Sequence, residues 1–165
     1  MMVLNNVLVA TDFGEASGTA LTYGRELARR FGATLHVVHV VDNAATRIDL
    51  AAGMPADVGQ IQAEFEARAR RDLGALLNED DQRTLRARTV LLTSSNPDRM
   101  IVAYAADHHV DLIVMGTHGR GSVAHLFMGS VAERVVRRAP CPVLTVRHPE
   151  HEFVHPDALQ TIAHA

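Results

Sequence analysis

Leu112-Ile113-Val114-Met115-Gly116-Thr117-His118-Gly119 is an apolar, partly β-branched run that breaks into glycines, and Gly129-Ser130-Val131-Ala132-Glu133 follows it as a helix start. Leu112 to Met115 reads as a strand too apolar to face water on either side. Ser130 and Glu133 have the spacing of an S-x-x-E capping box, which sets the helix start beside Gly129. Glycines between a strand and a helix permit positive φ and let a ligand come close to the backbone. A helix start adds free N–H groups and a partial positive charge, which suit a phosphate. His118 and Arg120 add side-chain donors to the same loop.

The chain repeats this alternation outward from the loop. Val7 to Ala10, Leu35 to Val41, Thr89 to Leu92 and Val143 to Val146 are further short runs rich in β-branched residues. Helical patterns separate them. One follows Asp12, places Ala16, Ala20, Leu21, Gly24, Leu27, Ala28 and Phe31 roughly on one face, and stops at Gly32, a C′ glycine. A second spans Asp57 to Leu77 with Ile61, Phe65, Leu73, Leu76 and Leu77 inward. A third begins at Pro97, suited to a first helical turn. The fourth runs from Ser130 to about Ala139 and stops before Pro140. The order β-α-β-α-β-α-β-α-β predicts an α/β, doubly wound five-stranded parallel sheet with helices on both faces and right-handed crossovers. Such sheets bind ligands at the carboxyl ends of their strands, at a switch point. Ala10-Thr11-Asp12 and the tract from Met115-Gly116 onward occupy that position.

Composition bounds the function. The 165 residues suit one domain, with 47% hydrophobic and 21% charged residues. A net charge of -3 offers no basic excess for nucleic acid or an anionic membrane. The single cysteine, Cys141, excludes a disulfide within the chain and points to a reducing compartment, the cytoplasm. The first residues lack a basic segment and turn polar at Asp12, so no signal peptide is expected. No apolar run approaches the ~20 residues of a membrane span. Residues 1–147 form the expected domain; 42–56 is a loop and 148–165 a polar, histidine-containing tail.

Three nucleotide patterns bear on the glycine loop. A Walker A loop fails, because Ser122 stands where G-x-x-x-x-G-K-[ST] needs lysine after Gly116 and Gly121. Gly119, Gly121 and Ala124 match G-x-G-x-x-G/A literally, but after the fourth strand rather than the first, with no acid ending the fifth. The third pattern, G-x2-G-x9-G-[ST], is met in full by Gly116, Gly119, Gly129 and Ser130, which chance would produce in well under about 1% of such chains.

That motif resembles the nucleotide-binding signature of the universal stress protein family. The resemblance covers about residues 3–147. It includes Val9-Ala10-Thr11-Asp12-Phe13, His39-Val40-Val41-Asp42, Asp111 to Gly116 and Ala139-Pro140-Cys141-Pro142-Val143-Leu144. It implies sheet order 3-2-1-4-5, so strands one and four flank the switch point. It further implies that Thr11 and Asp12, with Ala10 before them, line the ribose and adenine end, that Val40 touches adenine, and that Met115 and Gly116 pass under the ribose. Gly119, Gly129, Ser130 and Val131 would hold the phosphates of ATP, or of ADP or AMP, with Mg²⁺ held mainly by those phosphates. A homodimer through the fifth strand is implied as well, and an unknown protein partner would read the loaded form. Ser95-Asn96-Pro97 departs from the family by lacking a glycine before the third helix. No dedicated metal ligands are expected.

Three functions fit these features. The first is a nucleotide-dependent binding or regulatory module in the stress response. The second is a slow ATPase or phosphotransferase, disfavoured because the loop has no acid and Asp12 is the one carboxylate expected nearby. The third is a partner-binding dimer without nucleotide, disfavoured by the intact glycine motif.

Overall fold

Five parallel strands form one sheet in the order β3-β2-β1-β4-β5. The computed structural model describes residues 3–44, 57–117 and 129–148. The strands are β1 Asn6–Ala10, β2 Thr34–Val41, β3 Arg88–Thr93, β4 Leu112–Gly116 and β5 Val143–Val146. The helices are α1 Glu15–Phe31, α2 Val58–Leu76, α3 Glu79–Thr84, α4 Pro97–Asp107 and α5 Ser130–Arg138. Val7, Leu8, Val9, Leu35, Val37, Val38, Ile113 and Val114 are essentially inaccessible, because helices cover both faces of the central strands.

The alternation of side chains along each strand assigns the faces. Val7, Val9, Leu35, Val37 and Val114 pack with α1 and α2 residues such as Ala20, Leu21, Ala28 and Leu73. Leu8, Ala10, Val38, Ile113 and Met115 pack with Ile101, Tyr104 and Ala105 of α4 and Ala132 and Val135 of α5. Gly24 lets α1 sit tightly on β1; a Cβ there would collide with the Val9 Cγ2. Gly32 closes α1 in the left-handed conformation at φ 65°, as its position after the periodic residues predicts.

Three expectations need correction. Phe31 is 40% exposed and Phe65 43% exposed. Phe31 ends α1 beyond the sheet's reach. Phe65 sits on the part of α2 that borders the carboxyl ends of the strands and lines the cleft there. The short helix α3 lies between the second helical pattern and β3, where the sequence patterns predict no element. Asn78 and Asp81 form a reciprocal capping box there, and the buried Asp81 carboxylate accepts from Arg25 Nε of α1 at 3.0 Å. The capping box expected at Ser130 does not form. Gly129 is the N-cap, without a side-chain cap, and Ser130 is the first helical residue. Glu133 turns instead to Arg137, 2.9 Å away and one turn on.

Candidate functional site

β1 and β4 are neighbours, yet their crossovers leave for opposite faces, α1 to one and α5 to the other. The chain therefore parts at their carboxyl ends, and a cleft of about 730 Å³ opens there. Ala10, Thr11, Asp12, Val40, Met115, Gly116, Gly129, Ser130 and Val131, all expected at the site, line this one cleft. His118, Gly119 and Arg120 lie outside the described residues.

The floor is the β1–α1 connection. Thr11 N–H donates to Val38 O at 2.9 Å, continuing the pairing of β1 with β2. The Thr11 hydroxyl accepts from Phe13 N–H at 3.0 Å and lies 3.2 Å from the Ser17 hydroxyl, which donates to Gly14 O at 2.9 Å. Asp12 Oδ1 accepts from Gly14 N–H at 3.0 Å, so the carboxylate organises the loop rather than capping the helix directly. Phe13 adopts φ 63°, unusual for a bulky residue and a form of strain that collects at functional sites. Its ring packs on the His39 imidazole with centroids 4.4 Å apart. His39 Nδ1–H in turn donates to Thr11 O at 2.7 Å. β2 thus holds the connection through both its backbone and a side chain.

One side is apolar, with Val38, Val40, Ile101 and Met115 on the α4 and α5 face. The start of α5 borders it. The first helical bond there is Glu133 N–H to Gly129 O at 3.0 Å, so the N–H groups before Glu133 have no acceptor within the helix. Gly129 N–H donates to Thr117 O at 2.6 Å, and Thr117 N–H to Val146 O at 2.8 Å. The two ends of segment 118–128 are therefore joined at the base and tied to β5. Neither described glycine of the motif needs positive φ: Gly129 has φ −59°. Gly116 is glycine because α1 crosses it. A Cβ there would lie 2.9 Å from Ala16 Cβ, 3.0 Å from Ala16 C and 3.1 Å from Ser17 N.

The cleft contains groups that sequence reasoning missed. Phe65, Arg68 and Asp72 reach it from α2, and Asp42 from the end of β2. Asp12 is thus not the one carboxylate nearby. Arg68 Nε is 3.8 Å from Asp72 Oδ2, one helical turn away. Asp72 lies across the sheet from α5, since α2 packs on the other face. Periodicity could place these residues on α2, but not foresee which stretch of α2 would border the strand ends.

A second polar group lies deep below the cleft. His36 on β2 is 3% exposed, with Nδ1 2.8 Å from the Tyr104 hydroxyl and Nε2 without a partner among the described residues. Burial, then the charges of Arg88 and His108, lowers its pKa to about 4, so the ring is neutral near pH 7.

The family model described as the universal stress protein family matches residues 4–147. A universal stress protein of Methanocaldococcus jannaschii is 30% identical over 157 residues, covering 88% of this chain and 84% of that one. The structure of universal stress protein UspA from Lactobacillus plantarum superimposes with a TM-score of 0.72 at 26% identity, covering 89% of this chain and all of that chain. A universal stress protein of Archaeoglobus fulgidus, solved in complex with dAMP, shares the fold with a TM-score of 0.57 at 23% identity, covering 88% and 99% of the two chains.

Proposed function

The chain belongs to the universal stress protein family, and we propose that it is an adenine-nucleotide-binding regulatory module, with ATP, ADP or AMP in the cleft between β1 and β4. The observation that carries this is the meeting, in one cleft, of an apolar wall, a carboxylate-bearing loop and an uncapped helix start. Each suits a different part of the ligand. Val40, with Val38 and Ile101 beside it, takes the base. Ala10, Thr11, Asp12, Met115 and Gly116 take the ribose. The N–H groups of α5 at Ser130 and Val131, beside Gly129, take phosphate, helped by the positive end of the helix dipole. His118, Gly119 and Arg120 complete the phosphate end. Mg²⁺ would screen the phosphate charges, held mainly by the nucleotide. The dAMP complex of the Archaeoglobus protein adds that this fold has room for an adenine nucleotide.

The loaded form is what a protein partner reads, and the functional unit is a cytoplasmic homodimer. β5 is an edge strand of the sheet, and Leu144 on it and Val136 on α5 are exposed apolar residues. A second copy pairing along β5 covers both. Turnover is slow in this reading. Ground-state phosphate contacts do not by themselves lower a barrier, and Asp72, which lines the cleft from α2, sits across the sheet from α5. The direct experiment is to denature the purified protein, identify released nucleotide by mass spectrometry, and titrate the stripped protein with ATP, ADP and AMP by calorimetry. Absence of heat with all three, in protein that melts cooperatively, would overturn the reading.

A further inference from the structure

Helix α5 has a weak hold on the sheet for an element asked to aim donors. Of its nine residues, Ala132 and Val135 are the buried ones, and Ala132 offers one methyl group. Val136 on the same helix is 45% exposed. Val131 packs partly against the same cluster, and ion pairs add the rest. Asp98, in the first turn of α4, is buried to 3% exposure, and both of its carboxylate oxygens face α5. Oδ1 lies 3.2 Å from Arg134 Nε and Oδ2 3.2 Å from Arg138 Nη1. The two arginines are one helical turn apart, so one acid grips the helix at two heights and fixes both its rotation and its tilt. Asp98 also follows Pro97, which lines the cleft, so the acid ties one rim to the other.

We propose that Asp98 is a positioning residue for the phosphate end of the cleft, acting through Arg134 and Arg138 to direct the first N–H groups of α5 at the ligand; this rests on the nucleotide reading above. The acid does not touch the ligand. Its charge alone would repel phosphate, so charge and positioning predict opposite signs for its removal. Asp98→Asn deletes a negative charge near the site and, by charge alone, tightens ATP. Loss of the grip lets α5 swing on its two buried residues and weakens ATP. Adenosine, which has no phosphate, is indifferent to α5.

The test is calorimetric titration of wild type, Asp98→Asn and the double variant Arg134→Lys/Arg138→Lys with adenosine, AMP and ATP. The double variant keeps the net charge and changes half-exposed side chains, so it decides the matter if Asp98→Asn does not fold. The expected result is a tenfold or greater loss of ATP affinity in Asp98→Asn and a smaller loss in the double variant. AMP should fall between, and adenosine should change less than twofold. ATP affinity equal to wild type or tighter in Asp98→Asn overturns the proposal, as does an equal loss for adenosine and ATP in either variant. If wild type binds adenosine and ATP, those results overturn the positioning role alone; if it binds none of the three ligands, the nucleotide reading falls with it.

Discussion

Replacing Gly116 by alanine separates two reasons for a glycine at the end of β4. A ribose passing over the backbone would need the space, and so does helix α1, which already occupies it. The new methyl would sit 2.9 Å from Ala16 Cβ, 3.0 Å from Ala16 C and 3.1 Å from Ser17 N. Two of these are backbone atoms, which cannot turn aside as a long side chain can. The first turn of α1 must therefore move by a few tenths of an ångström, against the Thr11–Ser17–Gly14 hydrogen bonds that hold it. Overpacking of this kind costs typically 1–3 kcal/mol. At about 2 kcal/mol, the melting temperature of nucleotide-free protein falls by roughly 4–8 °C for a chain of this size. Adding Ala16→Gly removes the shortest contact and leaves the two backbone contacts, so the double variant recovers part of the loss, less about 0.5–1 kcal/mol for glycine in a helix. Scanning calorimetry of the stripped single and double variants measures both numbers. A melting temperature within one degree of wild type, together with a tenfold loss of nucleotide affinity, would refute the packing argument and return Gly116 to the ligand.

Other outcomes follow from the same coordinates. Stability should fall in acid through His36: its folded pKa of about 4 lies below the ordinary 6.5, so the unfolded chain binds the proton first. The contribution is complete above pH 6.5 and is lost as pH drops towards 4, up to about 3 kcal/mol; between pH 6.5 and 4 stability from denaturant melts should fall less steeply in His36→Gln than in wild type, and equal slopes refute the assignment. Thr145→Pro on β5 should turn a dimer into a monomer in light scattering, because even-numbered residues of β5 bond β4 and the Thr145 N–H faces the open edge, and a wild type that is monomeric at micromolar concentration removes the dimer. ATP at a hundredfold excess over Kd should add about 2.7 kcal/mol of stability. Phosphate release by highly purified protein should stay under about one per minute, far below the roughly 1–100 s⁻¹ of kinases; several per second, lost in Gly129→Val, would make the protein an ATPase.

The strands were legible to within a residue or so because β-branched runs buried on both faces have few other readings. Gly32 marked the end of α1 and Pro97 the start of α4 for similar local reasons. Errors arose where two local signals competed. Ser130-x-x-Glu133 and Asn78-x-x-Asp81 are the same kind of pattern, yet the second forms a capping box and the first does not. Gly129 already fills the cap position, and Arg137 offers Glu133 a partner of opposite charge. The glycine motif located the cleft, but its spacing could not say that Gly116 answers to α1. The grip of His39 on Thr11 and the α2 wall of Phe65 and Arg68 join residues far apart in the chain, and no period or motif encodes such pairs.

The bond from Gly129 N–H to Thr117 O brings the residues on either side of segment 118–128 together, like the drawn neck of a bag. Chain entropy charges a flexible loop only about 0.6 kcal/mol for each doubling of its length. Descent can therefore lengthen, shorten or rewrite this segment without renegotiating the sheet, and the ligand preference it confers can drift while the fold stands still. The same neck is a natural place to graft a foreign sequence, since Thr117 and Gly129 line the cleft and bond each other across the splice.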